Sequence, residues 1–384
     1  MTGFPSVDVR SIGAGGGSIA WVDEGGLLHV GPQSSGSNPG PACYNKGGNQ
    51  PTVTDAALVC GILNPDYFLG GDLKLSQTKA KKAINQIAKK LKLNTNETAI
   101  AILEVVTENM AQEIKNLTIH QGFNPVDSAL ISGGGASGIN IVSLAKRLDC
   151  KLILIPNLGP VLSAAGAMIA DITNEFSITL PMHTNNFSYS KVNNTIKILK
   201  TKCEKFIKNS KLKFLSKKID YFIEAKYSDQ VWEIEVPIKL DKEDKIAKAS
   251  NIERDFHNKH KELFEIYDLN SNIEIIQWKA RLRCKISKTK LISNKTFKKD
   301  LKKINDLRYV FYKNIGLLKT KILKYEDIKV NKKFTGPAII ETPFMSVLIE
   351  PSVNFSLNHH NCLELNIPHN KKEIIIDESA TSLW

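Results

Sequence analysis

The chain has 384 residues, of which 42% are hydrophobic and 24% charged, the balance of a soluble globular protein. That length exceeds what one compact core organises and predicts two domains. No apolar run approaches the ~20 residues that span a bilayer, so no membrane role is expected.

The formal net charge of +13 is unevenly placed. Residues 1–175 hold 13 Lys and Arg against 14 Asp and Glu, whereas residues 176–384 hold 39 against 25. The excess comes as Lys-rich helix surfaces at 197–218 and 285–303, without interleaved aromatics. A solvated face fits that pattern better than a nucleic-acid interface. Six cysteines (Cys43, Cys60, Cys150, Cys203, Cys284 and Cys362) are scattered without a CxxC pair and read as reduced thiols. The first residues, Met1-Thr2-Gly3-Phe4-Pro5, lack a basic, apolar export signal, so a cytoplasmic location is expected.

In chain order, the first feature is a glycine turn, Gly13-Ala14-Gly15-Gly16-Gly17-Ser18, between an apolar entry (Val7, Val9, Ile12) and an alternating run (Ile19, Trp21, Val22). Glycine leaves the backbone bare, and consecutive amides in a turn make a concavity that suits phosphate oxygens. Ser18 adds a hydroxyl for a phosphate or a metal-bound water; the alternative is a tight turn rich in glycine for steric reasons alone. Glu24-Gly25-Gly26 predicts a hairpin. Residues 31–44 form a Pro/Gly-rich loop long enough to be functional. Asp55, at the start of a short helix, reads either as a helix cap or as a site carboxylate.

Residues 76–91 and 96–121 show helical spacing. A buried strand at 127–132 runs into Gly133-Gly134-Gly135-Ala136-Ser137-Gly138, then a helix at 139–148, a strand at 151–156 and a small-residue helix at 161–171. Alternating strand and helix make residues 1–175 an α/β domain. From Phe176 the texture changes: helices at 191–211 and 245–264, and strands at 219–227, 231–237, 273–285, 309–312 and 338–350, predict an α+β domain over residues 176–384.

The 133–138 segment fits G-x-G-x-x-G, but a dinucleotide fold needs an acid after the next strand, and that strand ends Ile155-Pro156-Asn157. A glycine turn lying flat against adenine or ribose fits better, with close helix–strand packing as the alternative. His257-x-x-His260 has metal-site spacing on what reads as a polar helix face, without a third ligand. Cys43 has no identifiable dyad base and reads as structural.

Several of these segments, in this order, resemble the hydantoinase A/5-oxoprolinase family. They are residues 12–23, Val30-Gly31-Pro32-Gln33-Ser34-Ser35-Gly36, Pro39-Gly40-Pro41-Ala42-Cys43-Tyr44, Thr52-Val53-Thr54-Asp55-Ala56, Phe68-Leu69-Gly70-Gly71, Leu130-Ile131-Ser132-Gly133-Gly134-Gly135 and Pro160-Val161-Leu162-Ser163-Ala164-Ala165-Gly166. That family includes the ATP-using subunits of acetone and acetophenone carboxylases.

The resemblance implies the second half of an actin-like (ribonuclease H-like) ATPase followed by an α+β C-terminal domain. Gly13, Gly15, Gly16, Gly17 and Ser18 would then be a phosphate loop, and Gly133, Gly134 and Gly135 would border adenosine. It implies ATP and Mg²⁺ as cofactors, with Asp55 or Asp8 as the carboxylate for the metal or its water. The implied activity is ATP-dependent hydrolysis of a cyclic amide of hydantoin or 5-oxoproline type; carboxylation of a ketone, or a non-catalytic remnant, are the alternatives. The family's first phosphate loop, of the kind Asp-x-Gly-Gly-Thr, has no counterpart here. The implied partners are therefore a separate N-terminal half, a hydantoinase B-like subunit and a small lactam or ketone substrate.

Overall fold

The computed structural model describes residues 9–286, apart from 121, 123, 242, 244 and 247, and residues 307–368. Asp8, Val7 and most of the basic 285–303 segment lie outside the described residues. The fold is mixed α/β, with four sheets among the described residues. It divides into two compact units, one of residues 1–165 and 292–384, the other of residues 166–291.

In the first unit β1 (Ser18–Val22) and β2 (Leu28–Ser34) form the expected antiparallel hairpin. The entry to β1 is not a strand: Val9 and Ile12 are exposed, at 77% and 43%. Three helices follow, each begun by local chemistry. Helix α1 (Val53–Val59) opens on a reciprocal Thr52–Asp55 capping box. Helix α2 (Gln77–Leu91) is capped by Ser76 and buries Ala80, Ala83, Ile84 and Ile87 on one face. Helix α3 (Thr95–His120) is preceded by Asn94, whose side chain and backbone exchange hydrogen bonds with Glu97 at 2.9 Å each way. Then come β3 (Ala129–Ile131), α4 (Ile141–Arg147), β4 (Leu152–Pro156) and α5 (Leu162–Ile169).

The second unit carries β5 (Ile172–His183), α6 (Tyr189–Asn209), β6 (Ser216–Tyr227), β7 (Ile234–Ile238), α7 (Ala249–Phe264) and β8 (Ile273–Lys285). Its four strands form an antiparallel sheet in the order β5-β8-β6-β7. Alternate residues of that sheet (Tyr221, Ile223, Ala225, Trp278, Ala280, Leu282) pack against Leu199 of α6 and Phe256 of α7. The residues between them carry an ionic ladder. Arg281 reaches Glu175 and Glu235 at 2.7 and 2.8 Å, and Lys279 pairs with Glu224. The α+β texture expected from Phe176 onward is therefore present, but it begins at β5 and ends with β8.

The chain then returns to the first unit, which corrects the expected boundary of residues 1–175 and 176–384. Strands β9 (Leu307–Tyr312), β10 (Gly316–Lys324), β11 (Phe334–Thr335), β12 (Ala338–Thr342), β13 (Met345–Ile349), β14 (Asn354–Leu357) and β15 (Cys362–Asn366) complete two sheets there. One has the order β13-β12-β10-β9, and the other is β11-β14-β15-β4-β3. In the second of these, β4 pairs in parallel with β3 and antiparallel with β15, so the sheet's centre joins residues 152–156 to residues 362–366. Residues 338–350, expected as one strand, are the β12–β13 hairpin turning at Pro343 and Phe344. Glu341, Thr342 and Pro343 mark the turn between the two apolar arms. Among the described residues no helix is long and apolar enough to cross a membrane.

Candidate functional site

The two glycine turns, more than a hundred residues apart in the chain, line one cavity of about 460 Å³. Its wall takes Gly15 and Gly16 from the first turn and Gly133, Gly134 and Gly135 from the second, with Met110, Asn140 and Leu144 behind them. A β-carbon built on Gly16 would lie 3.4 Å from the Ala136 methyl, so the two turns face each other across a gap that bare backbone keeps open. The lining includes no charged side chain.

The first turn is held from three sides. Its Gly13 backs onto Pro32, where a β-carbon would come within 2.3 Å of the proline Cα. The Gly16 carbonyl accepts from the Thr54 amide at 2.9 Å and from the Thr54 hydroxyl at 2.8 Å. The Gly17 carbonyl accepts from the Ser35 amide at 2.9 Å. Those bonds tie down the carbonyls and leave the amides. Among the described residues no acceptor meets the N–H of Gly16 or Gly17. Two adjacent unbonded amides beside a cavity form an anion-binding concavity, in which peptide dipoles favour negative charge without a lysine.

Ser18 is placed differently from the expectation. It is 3% exposed. Its hydroxyl donates to the Gly13 carbonyl at 3.0 Å and accepts from the Gly15 amide at 2.9 Å. It closes the turn from within, and its oxygen faces the loop's own backbone.

The second turn leaves β3 and enters α4 through a short 3₁₀ turn, Ser137–Ile139. Gly134 has φ of +100°, a left-handed conformation that disfavours a side chain, and nothing lies within 4 Å of its missing β-carbon. Its amide donates to the Gly159 carbonyl at 2.8 Å. The Ser137 hydroxyl donates to the Gly134 carbonyl at 2.7 Å and accepts from Ser132 at 2.7 Å. The amides of Gly135 and Ala136 meet no acceptor among the described residues.

Asp55 is a structural carboxylate, and the metal role expected of it is corrected here. It is fully buried, and its two oxygens accept from the amides of Ala42, Cys43 and Thr52 at 3.2, 2.7 and 3.0 Å, and from the Thr52 hydroxyl at 2.8 Å. It thus caps α1 and anchors the far end of the Pro/Gly-rich loop, the 3₁₀ turn Ala42–Tyr44. Four donors on a sealed carboxylate leave no room for a cation. Among the described residues no group of three or more His, Cys, Asp or Glu side chains is arranged to hold a metal. As placed, Asp55 offers no free oxygen to Mg²⁺, and Asp8, the other expected carboxylate, lies outside the described residues.

Cys43, beside Asp55, is fully buried; burial first and the Asp55 carboxylate second push its thiol far above the ordinary range. It is structural, as its lack of a base suggested. The His257/His260 pair does not share a polar face. His260 is 2% exposed and sits between the Ile266 carbonyl at 2.7 Å and Gln230 at 3.0 Å, while His257 meets the Tyr227 hydroxyl at 2.8 Å. Burial lowers the pKa of His257. Both are satisfied packing histidines.

Sequence reasoning missed Thr54, which clamps Gly16, and Asn140, whose amide donates to the Thr107 hydroxyl at 3.2 Å at the back of the cavity. The Thr-x-x-Asp capping pattern marks the start of α1 and hence the place of Thr54. Nothing in the local pattern marks Asn140.

Residues 1–176 match the Hydantoinase/oxoprolinase family model. The caprolactamase subunit alpha of Pseudomonas jessenii is 31% identical over 373 residues, covering 96% of this chain and 53% of that protein. The acetophenone carboxylase gamma subunit of Aromatoleum aromaticum is 43% identical over 178 residues, covering 46% of this chain and 24% of its own. The crystal structure of the ATP-dependent caprolactamase from P. jessenii superposes with a TM-score of 0.73 at 30% identity, over 94% of this chain and 53% of that one. An acetone carboxylase structure, at 20% identity, shares the fold, with a TM-score of 0.77 over 92% of this chain and 52% of that one. The chain therefore spans about half the length of the full-length relatives it matches end to end. Residues 1–176 therefore belong to the hydantoinase/oxoprolinase family, and the chain as a whole is similar in sequence and fold to the caprolactamase subunit alpha.

Proposed function

We propose that this chain is the nucleotide-binding portion of an ATP-dependent enzyme that opens a cyclic amide, of the hydantoin, 5-oxoproline or caprolactam class. The observation that carries the reading is the meeting of two glycine turns at one cavity that, among the described residues, has no charged lining and whose turns each keep amides that no acceptor meets. Gly16 and Gly17 would hold phosphate oxygens through backbone N–H groups, with Gly15, whose amide is held by Ser18, leaving bare backbone beside them. Gly133, Gly134 and Gly135 would lie against the nucleoside, where a side chain would block its approach. ATP, when bound, supplies a phosphoryl group that activates a carbonyl towards attack. The chain's own part is to bind and orient: Thr54 and Ser35 hold the first turn's carbonyls back so that its amides point outward, and Ser18 fixes the curvature. No carboxylate lines this cavity among the described residues.

We assign the groups this portion does not supply to the rest of the assembly. It would be an N-terminal half carrying the other phosphate loop, as in an actin-like ATPase, together with a hydantoinase B-like subunit. The curated relatives at 31% and 43% identity are both named as subunits, which supports this. Carboxylation of a ketone is the second reading, favoured by the 43% identity of the glycine-turn portion to the acetophenone carboxylase subunit.

Calorimetric titration of the purified chain with Mg-ATP, alone and with the candidate N-terminal partner, tests the proposal. Saturable binding, strongest with the partner and abolished by Gly16→Val, is the expected result. The valine β-carbon would sit 2.8 Å from the Thr54 hydroxyl and fill the gap towards Ala136. Absence of binding in both titrations overturns the proposal and leaves a non-catalytic remnant. ATP-dependent release of an amino acid from a lactam, against ATP-dependent fixation of bicarbonate onto a ketone, separates the two activities.

A further inference from the structure

A second cleft of about 490 Å³ lies in the first unit, on another side of Thr107 and Asn140. Its volume falls within the range of small-molecule sites and is far below that of a groove for a helix. Its walls are apolar, built from Ile100, Leu103, Ile139, Phe311, Ile315 and Leu348.

The cations and carboxylates at its rim cancel one another. Lys313 pairs with Glu104 at 2.5 Å, Arg147 with Glu108 at 2.9 Å and with Glu104 at 3.6 Å, and Lys146 with Glu350 at 2.6 Å. Glu350 also accepts from the Ser143 hydroxyl at 2.5 Å. A charged ligand entering here would meet groups already satisfied, so the rim selects against net charge.

One polar group in the lining keeps an acceptor oxygen that no protein donor meets among the described residues. Asn140 is 8% exposed, and it lines this cleft as well as the glycine cavity. The Thr107 hydroxyl donates to the Leu103 carbonyl at 2.6 Å, so its oxygen accepts from the Asn140 amide nitrogen. That network fixes the orientation of the Asn140 amide and leaves its carbonyl oxygen without a donor among the described residues. That oxygen is not among the sealed, unpartnered atoms of the described residues, so water reaches it, and a ligand that brings a donor to it takes that water's place.

We infer that this cleft is a second small-molecule site, taking a neutral, mainly apolar ligand that carries one hydrogen-bond donor. The inference does not depend on the nucleotide reading.

The neutral dye N-phenyl-1-naphthylamine, an apolar body with a single N–H donor, is the probe. Its fluorescence with the full chain is expected to rise and saturate at a single site. Ile315→Trp, which fills the cleft from its exposed edge, and Asn140→Leu, which removes the acceptor, are each expected to weaken binding by roughly tenfold or more. Gly16→Val, in the other cavity, is expected to leave it unchanged. Circular dichroism melting confirms that each variant folds, and Ile100→Trp replaces Ile315→Trp if the latter does not. Absence of saturable binding, binding unaffected by the tryptophan, or loss of binding in Gly16→Val instead, overturns the inference.

Discussion

The two glycine turns look alike in sequence, yet Gly13 and Gly16 in one and Gly134 in the other are glycine for different reasons. In the first, the constraint comes from neighbours. Gly13 is pressed against Pro32, and Gly16 is clamped to the start of α1 by Thr54. In the second, the constraint at Gly134 is the backbone itself, held at φ of +100° with open space where a β-carbon would be. A turn defined by packing resists any added atom. A glycine such as Gly134, set by its dihedral angle, resists only the change in backbone preference. The same residue type therefore reports close contact in one place and conformation in the other.

The largest effect is expected where the first turn's support is removed. Asp55→Ala strands three buried backbone amides and the Thr52 hydroxyl, and should destabilise the fold by roughly 4 kcal/mol in denaturant unfolding. A variant near wild-type stability would show that the carboxylate is not the anchor. Next comes Gly13→Ala, whose methyl meets backbone at 2.3 Å and should cost about 3 kcal/mol. A loss under ~1 kcal/mol would mean that the turn can move away from Pro32, and would weaken the contrast drawn here.

Gly134→Ala should cost only about 1–2 kcal/mol, since the methyl meets nothing and the penalty is the left-handed backbone alone. If it equals or exceeds Gly13→Ala, the two turns do not differ as described. Thr54→Val, which deletes one hydroxyl bond to Gly16 but keeps the amide bond, should cost about 1 kcal/mol. Hydrogen exchange around residues 13–17 should rise in that variant, while exchange around residues 133–137 stays unchanged.

A weaker effect distinguishes the second unit. Burial lowers the pKa of His257 from its ordinary value of 6.5, so the unfolded chain binds the proton more readily than the folded one. The stability from keeping this ring neutral is complete above pH ~6.5 and declines as the pH falls below it. His257→Gln should flatten that part of the acid unfolding curve measured by circular dichroism. An unchanged curve would assign the acid sensitivity elsewhere.

What the sequence determined by itself was local. The starts of α1 and α2, the β1–β2 hairpin and both glycine turns were legible because capping, turn chemistry and periodicity act within a few residues. Their order was also enough to carry the family resemblance. The tertiary structure decided what depends on distant partners. It chose helix cap over metal ligand for Asp55, because the deciding donors include the amides of Ala42 and Cys43. It turned the Ser18 hydroxyl inward and buried His260. It returned residues 307–366 to the first unit by pairing β15 with β4, a ladder between segments some two hundred residues apart. Strand pairing leaves no mark in local hydropathy, since a buried strand reads the same whichever sheet receives it. The meeting of the two glycine turns at one cavity is of that kind: each turn was visible alone, and only the packing of α1 and α4 around α3 brought their bare backbones together.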